Sequence, residues 1–172
     1  IAAAKDGRGI TGVAHDAKIM PIRVLDENGA GYLSDAIRAV RWATNNGADV
    51  INLSLGGTGY SRAMADAIRH ASRRGTVVVM AAGNAGDASP DYPGAQAIDH
   101  GIAVGAIQRD GRLAEFSNRA GSHPLDYVTA PGVGIKSTLP GNHYGHFSGT
   151  SMATPHVAGI AGLLKSQNSR LS

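Results

Sequence analysis

The 172-residue sequence contains no cysteine. That excludes disulfides, thiolate zinc sites and a cysteine nucleophile together. Charged residues are scarce at 17%, and the Lys and Arg behind the net charge of +3 are scattered along the chain. Scattered charge is solvated surface, so no nucleic-acid partner is expected. No apolar run reaches membrane-spanning length, which argues against a membrane partner, and no signal-peptide pattern stands at the N-terminus. What is abundant is hydrophobic residues, at 42%, and glycine, at 24 residues. The first indicates a globular chain of about one domain with a real core, and the second many tight turns or close backbone approaches.

The chain alternates between strand and helix patterns. Ile1–Ala4 reads as the tail of a helix ended by Lys5–Gly9, and Ile19–Leu25 as a short strand interrupted by Pro21. Ser34 can cap a helix with Ile37, Val40, Ala43 and Thr44 on one face. A strand at Val50–Ser54 follows, then a helix opened by Ser61 and stopped at Gly75, and then the β-branched run Thr76–Ala82. Ile102–Ile107 and Tyr127–Ala130 are further strands. Strand–helix–strand alternation is the signature of a parallel sheet with right-handed crossovers, and ligands gather outside the carboxyl ends of such strands. The loops leaving those ends, rich in Gly, Ala and Ser, are the candidate site. Small residues there admit another backbone, as a peptide cleft requires.

Within Gly149-Thr150-Ser151-Met152-Ala153-Thr154-Pro155-His156-Val157-Ala158-Gly159, Ser151 opens a helix. It is either an N-cap or a nucleophile held where free N–H groups and the helix dipole favour negative charge. Asn84, in Ala81-Ala82-Gly83-Asn84, is either a turn residue or an amide donor to a developing oxyanion. The serine string and the Ala-Ala-Gly-Asn string resemble the motifs of the subtilases, the subtilisin-like serine proteases. The match runs from Ile1 to about Lys165. It implies a three-layer α/β (αβα) sandwich around a mostly parallel sheet, incomplete at both ends, with residues 1–172 forming part of one peptidase domain. It also implies Ser151 as nucleophile and Asn84, with the Ser151 backbone N–H, as the oxyanion hole.

The resemblance further assigns Ser54, Leu55 and Gly56 to one wall of the primary specificity pocket, with Ala81, Ala82 and Gly83 lining the cleft beside Asn84. Gly29, Ala30 and Gly31 would pair with substrate main chain as an added strand. Asp91, just before Tyr92-Pro93-Gly94, is either a surface carboxylate or the floor of that pocket, where it would favour Lys or Arg at the cleavage position. Lys5–Ile10 resembles a calcium loop, with the Asp6 side chain and the carbonyls of Ala4, Arg8 and Ile10 as ligands, completed by residues upstream of Ile1. Met152, directly after the nucleophile, implies inactivation by peroxide, and full activity with Met152 oxidised would exclude that.

None of the seven histidines carries the subtilase histidine motif. His15, His70, His100, His123, His143 and His146 read as surface or loop residues, and His156 as structural. The base and its orienting aspartate are therefore expected on a complementary N-terminal segment, with the chain alone inactive and prone to aggregate through an unpaired sheet edge. The resemblance also implies a peptide or protein substrate, a propeptide inhibitor, secretion, and a bacterial source. Two other readings stand beside it: a remnant that binds peptides without cutting them, and a nucleotide-binding α/β domain, which the absence of a Gly-x-Gly-x-x-Gly turn disfavours.

Overall fold

A computed structural model describes residues 1–98 and 100–168. Four parallel strands form the main sheet: β1 (Val50–Leu53), β2 (Val77–Ala81), β3 (Ile102–Ile107) and β4 (Tyr127–Pro131), side by side in chain order. The strands alternate their side chains between two covered faces, as period-2 geometry demands. Ile51, Leu53, Val78, Met80 and Ala103 join one core with α1 (Leu33–Asn45) and α2 (Arg62–Arg73). Val79, Val104, Ala106 and Ala130 join the other with α3 (Thr150–Gln167). The expected three-layer α/β sandwich is what forms.

Local signals account for several boundaries. Ser61 caps α2, its Oγ accepting the Met64 N–H at 3.3 Å, and Gly75 leaves that helix with φ +79°. Ser34 does not cap α1. The N-cap is Tyr32, without a side-chain bond, and Ser34 lies in the first turn.

Three further expectations are corrected. Ile1–Ala4 is not helical: the carbonyls of Ile1 and Ala3 accept the N–H groups of Ala14 and Gly12, at 3.0 and 2.8 Å. Those carbonyls are committed across the chain rather than along a helix. Ile19–Leu25 forms no ladder among the described residues. Ile19 is 58% exposed, and Pro21 withholds one donor from any pairing. The stretch containing His143 and His146, expected as loop, is an antiparallel hairpin of β5 (Ile135–Leu139) and β6 (His143–Phe147). Gly141 and Asn142 turn it at φ +75° and +61°.

The far end of α3 is also anchored. Lys165 is buried, and its Nζ donates to the Gly75 carbonyl at 2.7 Å, just before β2. Lys165→Met should keep the apolar stem but leave that carbonyl without the ammonium, costing about 1–3 kcal/mol in a denaturant melt. An unchanged midpoint would show the contact to be incidental.

Candidate active site

The site assembles where β1 and β2 end and α3 begins. Gly149 precedes α3 and has no side chain to cap it. The capping partner comes instead from β2's exit loop: Asn84 Oδ1 accepts the Thr150 N–H at 2.8 Å and the Thr150 hydroxyl at 3.0 Å. Thr150 is fully buried, and its Oγ1 accepts the Gly83 N–H at 3.1 Å. With its oxygen committed, Asn84 presents Nδ2 as a donor in an exposed position. Ser151, second residue of the helix, has a first-turn N–H that helix geometry leaves without an intrahelical partner. An amide donor and a helix-terminal N–H thus stand beside a half-buried serine hydroxyl.

Pro155 explains a second set of contacts. A residue at that position would normally donate its N–H to the Ser151 carbonyl one turn back, and proline has none to give. The carbonyl accepts instead from Ser54 Oγ at 2.9 Å, and Ser54 Oγ accepts from Asn52 Nδ2 at 2.9 Å. The Ser151 hydroxyl in turn donates to the Ser54 carbonyl at 3.3 Å. The end of β1 is therefore stitched to the serine. Ser54→Ala should cost about 1 kcal/mol by orphaning the Ser151 carbonyl. Adding Pro155→Ala should recover much of it by restoring a helical donor, and a double-mutant melt without recovery would refute this link.

The remaining expected residues fall in two groups. Ser54, Leu55 and Gly56 leave β1, Ala81 ends β2, and Ala82 and Gly83 follow it. The two exits are tied by Tyr92, which exchanges hydrogen bonds with Gly57 at 2.8 and 2.9 Å, and by the Asp91 N–H to the Ala82 carbonyl at 2.7 Å. Ser151, Asn84, these cleft residues and Asp91 are thus in one neighbourhood. Gly29, Ala30 and Gly31 lie in an exposed turn before α1 that Asp26 organises. Its carboxylate accepts the N–H groups of Asn28 and Ala30, each at 2.9 Å, and those bonds, Ala30's first, hold the Asp26 carboxyl below the usual range. Both backbone polar groups of Ala30 are used inside the turn, since its carbonyl also accepts the Asp26 N–H at 2.7 Å.

The loop of Ala4, Asp6, Arg8 and Ile10 offers one carboxylate, and Asp6 Oδ1 already accepts the Arg8 N–H at 3.0 Å. Calcium takes six to eight oxygens, so these residues alone do not make a complete calcium site. Among the described residues no three His, Cys, Asp or Glu cluster as a metal site would. The histidine rings are engaged elsewhere where partners are seen. His156 Nδ1 meets the Met152 carbonyl at 2.9 Å, and His70 and His100 meet Asn45 and Ser72.

Comparison with known proteins decides what this arrangement belongs to. The subtilase family profile matches residues 1–172. The chain belongs to the subtilase family. It is 47% identical over 169 residues to a thermophilic serine proteinase of Bacillus sp. strain AK1, covering 97% of this subtilase chain and 41% of that protein. It is 44% identical to subtilisin Savinase of Lederbergia lenta, covering 98% and 61% respectively. Among solved structures, Sphericase superposes with a TM-score of 0.88 at 34% identity, and a protease of Pseudoalteromonas arctica with 0.89 at 39%. These matches cover 98% and 99% of this chain but only 60% and 57% of theirs. This subtilase chain spans about half the length of the relatives it matches.

Two supporting residues carry no role-specific signal in the sequence: Thr150, and Asn118, whose Oδ1 accepts the N–H groups of Ala85 and Asp87 at 3.0 Å and so shapes the exit loop of β2. Thr150 was hidden beside the serine it supports, and Asn118 arrives from the loop between β3 and β4 with no local pattern to mark it.

Proposed function

We propose that this chain is the nucleophile-bearing part of a serine endopeptidase, hydrolysing peptide bonds through an acyl-enzyme on Ser151. The observation that carries the reading is the convergence of the Ser151 hydroxyl, its helix-terminal N–H and the Asn84 amide at the ends of β1 and β2. Ser151 Oγ attacks the scissile carbonyl carbon and loses its proton to a base. The carbonyl oxygen gains the charge and is met by Asn84 Nδ2 and the Ser151 N–H. The amine leaves with the returned proton, and water then releases the acyl group. The histidine base and its orienting aspartate come from a segment outside these 172 residues, which is the principal partner; a propeptide inhibitor and the peptide substrate are the others. Calcium belongs to the same reading, with the Asp6 loop as one side of a shared site. Secretion fits the kinship with bacterial subtilisins, and no described helix is long and apolar enough to cross a membrane.

A second reading has its own support. No histidine is hydrogen-bonded to Ser151 among the described residues, and its hydroxyl rests on the Ser54 carbonyl. The chain by itself would then bind peptides without cleaving them. A fluorophosphonate probe separates the two. Phosphonylation mapped to Ser151 in the native sample supports the protease, and an unmodified Ser151 in protein that still binds peptide supports the binding module.

A further inference from the structure

Charge that is scattered along the sequence is gathered by the fold. Residues 33–75, which include α1 and α2, hold six arginines against three aspartates, and the rest of the chain holds ten charged residues of each sign. The whole net charge of +3 therefore belongs to this stretch. Both helices bury one face against the same side of the sheet, through Ala36, Val40 and Ala43 of α1 and Met64, Ala67 and Ile68 of α2. His70 Nε2 meets Asn45 Oδ1 at 3.2 Å between them. At 3.6 residues per turn, the opposite face of α1 presents Arg38, Arg41 and Trp42, and that of α2 presents Arg62, Arg69 and Arg73. All six residues are exposed.

Local ion pairs neutralise only part of this charge. Arg38 pairs with Asp35 and Arg69 with Asp66, each one turn away on its own helix. Among the described residues no Asp or Glu pairs with Arg41, Arg62, Arg73 or Arg74. The three outward arginines of α2 follow one another at about 10 and about 6 Å along the helix axis. One small anion cannot meet them all, whereas a surface with repeating anionic groups can. Trp42, 52% exposed, stands beside Arg38 and Arg41 on the same face. An indole, apolar in body and polar at its N–H, suits the headgroup level of a bilayer. A polyphosphate, or a duplex with its bases stacked inward, would meet the arginines and leave that ring in water.

We infer that the outer face of α1 and α2 docks on an anionic lipid bilayer, with its arginines on lipid phosphates and Trp42 at headgroup level. The guanidinium fork matches phosphate oxygens in bidentate fashion, and it is more weakly hydrated than an ammonium. Among the described residues no helix is long and apolar enough to cross a membrane, and peripheral docking requires none. The docking face lies across the sheet from α3. A docked chain therefore keeps the helix of Ser151 on the side away from lipid. The inference is independent of the role of Ser151.

The test titrates the native protein with vesicles of phosphatidylcholine containing phosphatidylglycerol, and with vesicles of phosphatidylcholine alone, by co-sedimentation and tryptophan emission. Trp42 is the only tryptophan of the 172 residues, and Trp42→Phe identifies its share of the signal. Saturable binding to the anionic vesicles is expected, weakened by salt and accompanied by a blue shift of the Trp42 emission. The triple variant Arg41→Gln/Arg62→Gln/Arg73→Gln should bind about 100-fold more weakly. Arg8→Gln/Arg109→Gln/Arg119→Gln removes the same charge from other exposed positions, and it should bind within about threefold of wild type. Equal binding to the two kinds of vesicle overturns the proposal, as does an equal loss in the two triple variants. Binding to DNA or polyphosphate with none to the anionic vesicles assigns the face to a soluble polyanion and overturns it as well.

Discussion

Ser151→Ala is expected to abolish fluorophosphonate labelling and, on the proposed reading, to lower turnover of the assembled protease by about 10⁶-fold, the size of the same loss in subtilisin, a member of the same family. The loss is that large because no other described group can form the acyl bond from this position: the Ser54 hydroxyl is committed to the Ser151 carbonyl. Folding should be nearly untouched, since the Ser151 hydroxyl makes one long bond at 3.3 Å, to a partly buried carbonyl. The check is a pair of measurements on one preparation, turnover of a peptide substrate and a denaturant melt. Activity within tenfold of wild type would end the assignment.

Asn84→Leu carries the second largest expected effect, a fall in turnover of about 10²–10³ with KM little changed, the magnitude known for an oxyanion donor in subtilisin. The split matters because, on the proposed reading, the amide would meet charge that exists only in the transition state. Here Asn84 also has a structural duty, accepting two bonds from Thr150. Leucine removes both functions, so Asn84→Asp serves as the companion variant. It keeps an acceptor for the Thr150 N–H while replacing the donor with an oxygen that repels the oxyanion. If Asn84 acts only through Thr150, the aspartate variant should recover most activity. If it is the oxyanion donor, it should not. In a Ser151→Ala background either change should add little, because the groups act on one transition state.

Much of the fold was legible because its signals are local. The β3 span, Ile102–Ile107, matches its apolar run, and Ser61 caps the helix it was expected to open. What escaped was non-local. Ile19–Leu25 has a strand's composition, but a strand exists only when a neighbour pairs with it. The hairpin of β5 and β6 had a legible turn in Pro140-Gly141-Asn142, yet its strands are mostly exposed and lack the apolar alternation that marks a half-buried sheet. The site divides in the same way. Ser151 and Asn84 stand in long motifs, whereas the place of Asp91 depends on the Ala82 carbonyl that its N–H meets at 2.7 Å and on the pairing of Tyr92 with Gly57, from separate stretches of chain. Pro155 was visible as a letter in a motif, but its effect is seen only once Ser54 is found on the carbonyl it releases.

The double anchoring of α3 has a mechanical consequence. Thr150 is tied to Gly83 and Asn84 just beyond one end of β2, and Lys165 to Gly75 just before the other. Helix and strand are therefore two rails of one frame. A displacement of that strand is expected to carry Asn84 and Ser151 in the same direction, leaving the spacing between them insensitive to it, as a differential signal is insensitive to noise common to both inputs. Loosening the remote rung at Lys165 should make that spacing fluctuate more without moving either residue's average position.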